Sequence, residues 1–115
     1  MNTEIKNALI MVREAEKLVD EARQDPDLTE KQRNTLQSIY TLLLDIDDQL
    51  VLEDLQQGLD KLKQDSKRLA TLANKIPQEV ERWKKVAEAV RKAAKGVGIL
   101  ADILAKALGA GLLGA

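Results

Sequence analysis

Residues 28–50 read Leu-Thr-Glu-Lys-Gln-Arg-Asn-Thr-Leu-Gln-Ser-Ile-Tyr-Thr-Leu-Leu-Leu-Asp-Ile-Asp-Asp-Gln-Leu. Thr29 and Gln32 have the spacing of a capping box, in which each side chain bonds the other residue's backbone amide, and Leu28 stands where a hydrophobic staple begins. Behind this start signal, Leu36, Ile39, Leu43, Ile46 and Leu50 recur at steps of three and four. That is the period of a helix with one apolar face; a half-buried strand would alternate every second residue.

The same rhythm extends outward in both directions. Upstream it runs through Ile5, Ala8, Val12, Ala15, Val19 and Ala22, with Thr3 as the expected N-cap. Gln24-Asp25-Pro26-Asp27 closes that helix, because proline disfavours the α conformation in the residue before it. Downstream the phase slips at Asp47-Asp48. The next series is Leu52, Leu55, Leu59, Leu62, Ser66, Leu69, Ala73 and Ile76, two residues out of step with Leu50. We read a bend or tight connection at those aspartates, one of which caps the new helix, with a single kinked helix as the competing reading.

Pro77 suits the first turn of a last helix, whose seam is Val80, Trp83, Ala87, Val90, Ala94, Val97, Ala101, Leu104 and Leu108. An unbroken helix from Pro77 to Leu108 would be about 48 Å long, more than its neighbours. Either its end overhangs the bundle or it breaks near Gly96-Val97-Gly98 into a short fifth helix. The fold class expected is all-α, an up-down four-helix bundle with heptad-like seams. Residues 1–95 form the bundle, and 96–115 are an apolar Gly/Ala/Leu-rich C-terminal segment of the same domain.

Composition agrees. A chain of 115 residues with 44% hydrophobic and 32% charged side chains is one domain's worth of sequence. Its 2% aromatic content is Trp83 and Tyr40, with no Phe, so Leu, Ile, Val and Ala must build the core. Both aromatics fall on or beside seams and are expected in that core. The chain has no cysteine and no histidine. Their lack removes thiolate and imidazole catalysis, Cys/His zinc sites and Glu-x-x-His di-iron ligation. The acids near residue 47 lack the progression of a calcium loop, and phosphate-cradling motifs are missing. The function expected is non-enzymatic, without cofactor, metal or small-molecule substrate. The opening Met1-Asn2-Thr3-Glu4 lacks the basic stretch and apolar run of a signal peptide, which gives a cytoplasmic expectation.

Charge and tail are the informative features. Residues 1–60 carry 14 acidic and 6 basic side chains, net −8, whereas residues 61–115 carry 5 acidic and 12 basic, net +7. Asp45, Asp47, Asp48, Glu53, Asp54 and Asp60 fall within residues 41–60, which hold no Lys or Arg. Arg82, Lys84, Lys85, Arg91, Lys92 and Lys95 concentrate the positive charge. Opposite faces packed side by side, or simply facing water, explain such a split; so does attraction of the basic stretch to anionic lipid or an acidic partner. Nucleic acid fits poorly, since interleaved aromatic side chains are lacking.

Within residues 96–115 the charged side chains are Asp102 and Lys106, spaced for pairing on one helix face. The ion pair and glycines make a spanning anchor a poor fit, and an interfacial helix an easier one. Ala94, Gly98, Ala101 and Ala105 form a small-residue stripe that admits a close second helix. The composition of residues 96–115 resembles short membrane-active peptides and points to no family. The expected contacts with a membrane or partner are the six basic residues named above and Val97, Ile99, Leu100, Ile103, Leu104, Leu108, Leu112 and Leu113. Peripheral association with an anionic membrane, in the manner of a permeabilising toxin or effector, is one expectation. The alternative is a soluble adaptor or homo-oligomerising module that binds a protein helix along its seams, and equally the tail is ordinary bundle core.

Overall fold

A computed structural model describes residues 2–52, 55–77 and 81–109. They form four helices, α1 (Asn2–Ala22), α2 (Glu30–Leu52), α3 (Leu55–Ala73) and α4 (Glu81–Gly109). The expected four-helix bundle is what the chain adopts. Each helix packs on its neighbours in sequence, and α4 closes the ring against α1. The body is a rod of 52 × 20 × 20 Å.

Polar bridges fix the helix directions. Arg13 pairs with Asp47 at 3.2 Å and Arg23 donates to Gln37 at 2.6 Å, so α2 descends as α1 ascends. Arg82 pairs with Asp25, while Gly96 lies against Met11; a 14-residue step up α1 matches an equal step down α4. Both pairs of neighbours are therefore antiparallel.

The capping box forms as read, with Gln32 N donating to Thr29 Oγ1 at 3.1 Å and Thr29 N donating to Gln32 Oε1 at 3.0 Å. Leu28 is buried, yet the staple position on α2 is Arg33, which donates to the Leu28 carbonyl at 3.4 Å. The core is one aliphatic column: Val12, Val19, Leu36, Ile39, Leu43, Ile46, Leu50, Leu62, Leu69, Val90, Val97 and Leu100 are its largest fully buried side chains. Trp83 is buried in it as expected, and Tyr40 packs at its edge under the Arg23 guanidinium, 4.1 Å from the ring centre.

Three boundaries differ from expectation. α1 already includes Thr3, which is therefore not its cap. α2 runs straight through Asp47 and Asp48 to Leu52 and α3 begins at Leu55, so the bend expected at those aspartates is not there; residues 53–54 lie outside the described residues. Leu52, placed in the next seam, instead ends α2 as an exposed side chain. And α4 neither breaks at Gly96-Val97-Gly98 nor overhangs up to Ala107, which is still buried.

Neighbouring helices explain the glycine pair. A Cβ on Gly96 would lie 2.7 Å from Met11 Sδ of α1, and one on Gly98 would lie 2.9 Å from Ser66 Oγ of α3. Ser66 in turn donates to the Ala94 carbonyl at 2.8 Å. Two members of the small-residue stripe, Ala94 and Gly98, are thus used within the chain against α3, while Gly96, outside the stripe, lets α1 close on another side of α4; the helix-propensity cost of two glycines, up to ~1 kcal/mol each, is offset by close packing.

Candidate functional site

The long last helix α4 divides its residues between two surfaces. Val97, Leu100, Ala101 and Leu104 face the core, each at most 2% exposed. Ile99 is 51% exposed, and Ile103 is half-buried. Val80, Leu112 and Leu113 lie outside the described residues, as does the side chain of Leu108. The apolar residues named for membrane or partner contact are thereby split, with Val97, Leu100 and Leu104 inside and Ile99 and Ile103 toward the surface.

The basic stretch is split as well. Arg82 reaches across to Asp25 at the start of the α1–α2 connection. Arg91 lines the edge of the groove between α1 and α4 but spends its guanidinium on α3, donating to Asn74 Oδ1 beyond the end of that helix at 3.2 and 3.3 Å. Lys84 stands 3.9 Å from Glu81 on its own helix. Lys85, Lys92 and Lys95 remain, exposed, along a groove of about 700 Å³ between α1 and α4.

Met11 and Leu18 of α1 and Ala89 of α4 floor that groove. A second cavity of about 390 Å³ continues it toward Pro26 and Trp83, sharing Leu18 and Lys85 with the first. Together they make one trough from Lys95 to the connection between α1 and α2. Its α1 wall carries Glu14 and Glu21; its α4 wall carries Lys85, Lys92 and Lys95, with Glu88 among them. Among the described residues, Arg82–Asp25 at the far end is the one ion pair that crosses it.

The α2/α3 and α1/α2 seams carry polar bridges. Between α2 and α3, Lys61 pairs with Asp45 and, at 3.0 Å, with the buried Asp65, which also accepts from Gln49 Nε2 at 2.9 Å. Asp45 holds the Lys61 ammonium above its ordinary pKa by hydrogen bonding. Between α1 and α2, Asp47 binds Arg13 and the half-buried Glu16. Burial, followed by the hydrogen bond with Asp47, pushes the Glu16 carboxyl up to about 8. Burial works against ionisation of Asp47 too, but the hydrogen bonds from Glu16 and Arg13 together bring its pKa below the usual value. Near neutral pH Glu16 keeps its proton and donates it to the Asp47 carboxylate, while its Oε2 is buried without a partner. The acids of α2 thus neutralise cations of their neighbours, which accounts for part of the charge split in the sequence.

No group of three or more acidic side chains among the described residues is arranged to hold a metal. No described helix is long and apolar enough to cross a membrane. Comparison with family profiles, with curated proteins and with solved structures returns no match.

Proposed function

We propose that the chain is a non-enzymatic binding module that works with its bundle closed and takes a helix of a protein partner into the α1/α4 trough. One observation carries this reading: the trough has an apolar floor and two charged walls of opposite sign, which among the described residues are joined by an ion pair at the Arg82–Asp25 end alone. An amphipathic helix laid on Met11, Leu18 and Ala89 removes apolar surface from water, and its flanking charges complete the pairing on each side. The core roles of Val97, Leu100 and Leu104 support a closed bundle, since releasing them would expose side chains each worth ~1.5–3 kcal/mol when buried.

A second reading is favoured by Ile99 and Ile103, which lie on the outer side of α4 near Lys92, Lys95 and Lys106. That arrangement suits association with an anionic membrane, with the end of α4 leaving the core to reach lipid. Dye-loaded vesicles decide between the two. The closed module leaves dye inside both anionic and neutral vesicles. Leakage caused by the intact chain, and abolished by truncation after Lys95, would replace the first reading with the second.

A further inference from the structure

We propose that the helix pair filling the α1/α4 trough is the same face of a second copy of this chain, giving a symmetric dimer. This rests on the binding role of the trough and names its occupant. Charge and register point to it. The α1 wall is acidic, with Glu14 and Glu21, and the α4 wall is basic, with Lys85 and Lys92. Such a face is complementary to itself if each wall meets the opposite wall of its partner.

A two-fold axis parallel to the helices does this. It exchanges the left and right of the face, so α1 of one copy lies over α4 of the other, and it leaves height along the rod unchanged. Height is fixed by two contacts within the chain: Met11 is level with Gly96, and Asp25 with Arg82. Glu14 is therefore level with Lys92, and Glu21 with Lys85, to within one residue. The symmetry repeats each pair, so four intersubunit ion pairs form around the apolar centre of Leu18 and Ala89 and their symmetry mates. Glu88 sits between Lys85 and Lys92 on its own helix, three and four residues from them, and is screened by both. A two-fold axis across the helices would instead set α1 on α1 and α4 on α4, acid against acid and base against base, which disfavours it.

The test uses the full chain in sedimentation equilibrium over a range of concentrations, at low and high salt. The expected result is a monomer–dimer equilibrium that weakens as salt rises. Glu14→Lys and Lys92→Glu, both at exposed positions, each place like charges together twice in the dimer. Either variant alone should associate roughly tenfold more weakly or worse. An equimolar mixture of the two should recover wild-type association. In the mixed dimer the lysine introduced at position 14 of one copy meets the glutamate introduced at position 92 of the other, while the remaining Glu14 and Lys92 still pair. Circular dichroism confirms that each variant retains its helices. A chain that stays monomeric to millimolar concentration, a dimer indifferent to both changes, or variants that do not recover on mixing would each overturn the proposal. The vesicle experiment judges the underlying reading separately, so a monomer that leaves vesicles intact removes the self-pairing and leaves the trough for a different helix.

Discussion

The α2/α3 seam and the α1/α4 seam are closed by the same kind of aliphatic side chain at the same helical spacing, yet one is bridged and the other lies open. Between α2 and α3, Asp45, Gln49, Lys61 and Asp65 form a connected polar bridge. Between α1 and α4, the flanking charges line two walls that meet, among the described residues, in one ion pair, Arg82–Asp25 at the far end. The difference lies in the residues that flank the apolar stripe. Spacing of leucine and alanine brings helices together; the charges beside them determine whether the cleft outside the core is bridged by the chain's own ion pairs or keeps its charges for something else.

The strongest way to probe the comparison is through the parts common to both seams. Leu62→Ala or Leu69→Ala, each at a side chain with no exposure, should lower unfolding free energy by ~2–5 kcal/mol in urea titration. Leu18→Ala, on the floor of the trough, should cost about 1 kcal/mol or less in the monomer, because a half-buried side chain loses less on truncation. If the two losses were equal, the trough would not be open.

Next come the bridges. Lys61→Ala leaves Asp65, which is 9% exposed, with Gln49 as its remaining partner among the described residues, and should cost about 1–2 kcal/mol by the same titration. Lys92→Ala removes an exposed charge that no ion pair among the described residues uses, and should change monomer stability by less than about 0.5 kcal/mol. A smaller contrast separates the glycines. At Gly98 an added methyl meets the short, hydrogen-bonded Ser66, which has little room to yield; Gly98→Ala should be destabilising by about 1 kcal/mol despite the gain in helix propensity. At Gly96 the obstacle is the end of the flexible Met11 side chain, so Gly96→Ala should be near neutral.

The pH response comes last. Glu16 has a folded pKa of about 8 against an ordinary value of 4.5, so across that window the folded chain holds a proton that the unfolded chain has released. Stability therefore falls as pH rises from about 4.5 to about 8 through this group. Its surroundings are Asp47 and Asp48, which favour the proton, and Arg13, which opposes it. In thermal melts, the midpoint should drop between about pH 5 and about pH 8, and Glu16→Gln should flatten that drop. An unchanged slope in the variant would show that Glu16 is not its source.

How far the sequence revealed this molecule depends on how local each cause is. The helices and their apolar faces were legible because every seam residue from Ile5 to Val19 and from Leu36 to Leu50 reports its own period. The capping box was legible for the same reason, since a few neighbouring residues suffice to specify it. The end of α2 was misplaced because Leu52 fits the phase of the following helix although it is exposed on the preceding one. Gly96 and Gly98 suggested a break because glycine is a poor helix former, whereas their role depends on Met11 and Ser66, some 85 and 32 residues away in the chain. The trough was invisible for the same physical reason. In the sequence, Arg82 to Lys95 is one basic stretch; only adjacency to α1 and α3 divides it into Arg82 toward Asp25, Arg91 toward Asn74, and the lysines left beside Glu14.

The burial of Trp83 has an optical consequence. It is the single indole in the chain, 6% exposed, and it lines the Pro26 end of the trough with the Arg82 guanidinium 5.6 Å from its ring. Excitation at the red edge of the protein absorption band selects this one chromophore on general spectroscopic grounds, so every change in emission originates at one known place. Unfolding carries the indole into water and shifts its emission to longer wavelength, whereas a helix seated beside it excludes water and quenchers without that shift. The molecule therefore contains its own gauge, able to separate loss of the bundle from occupation of the groove without an added label.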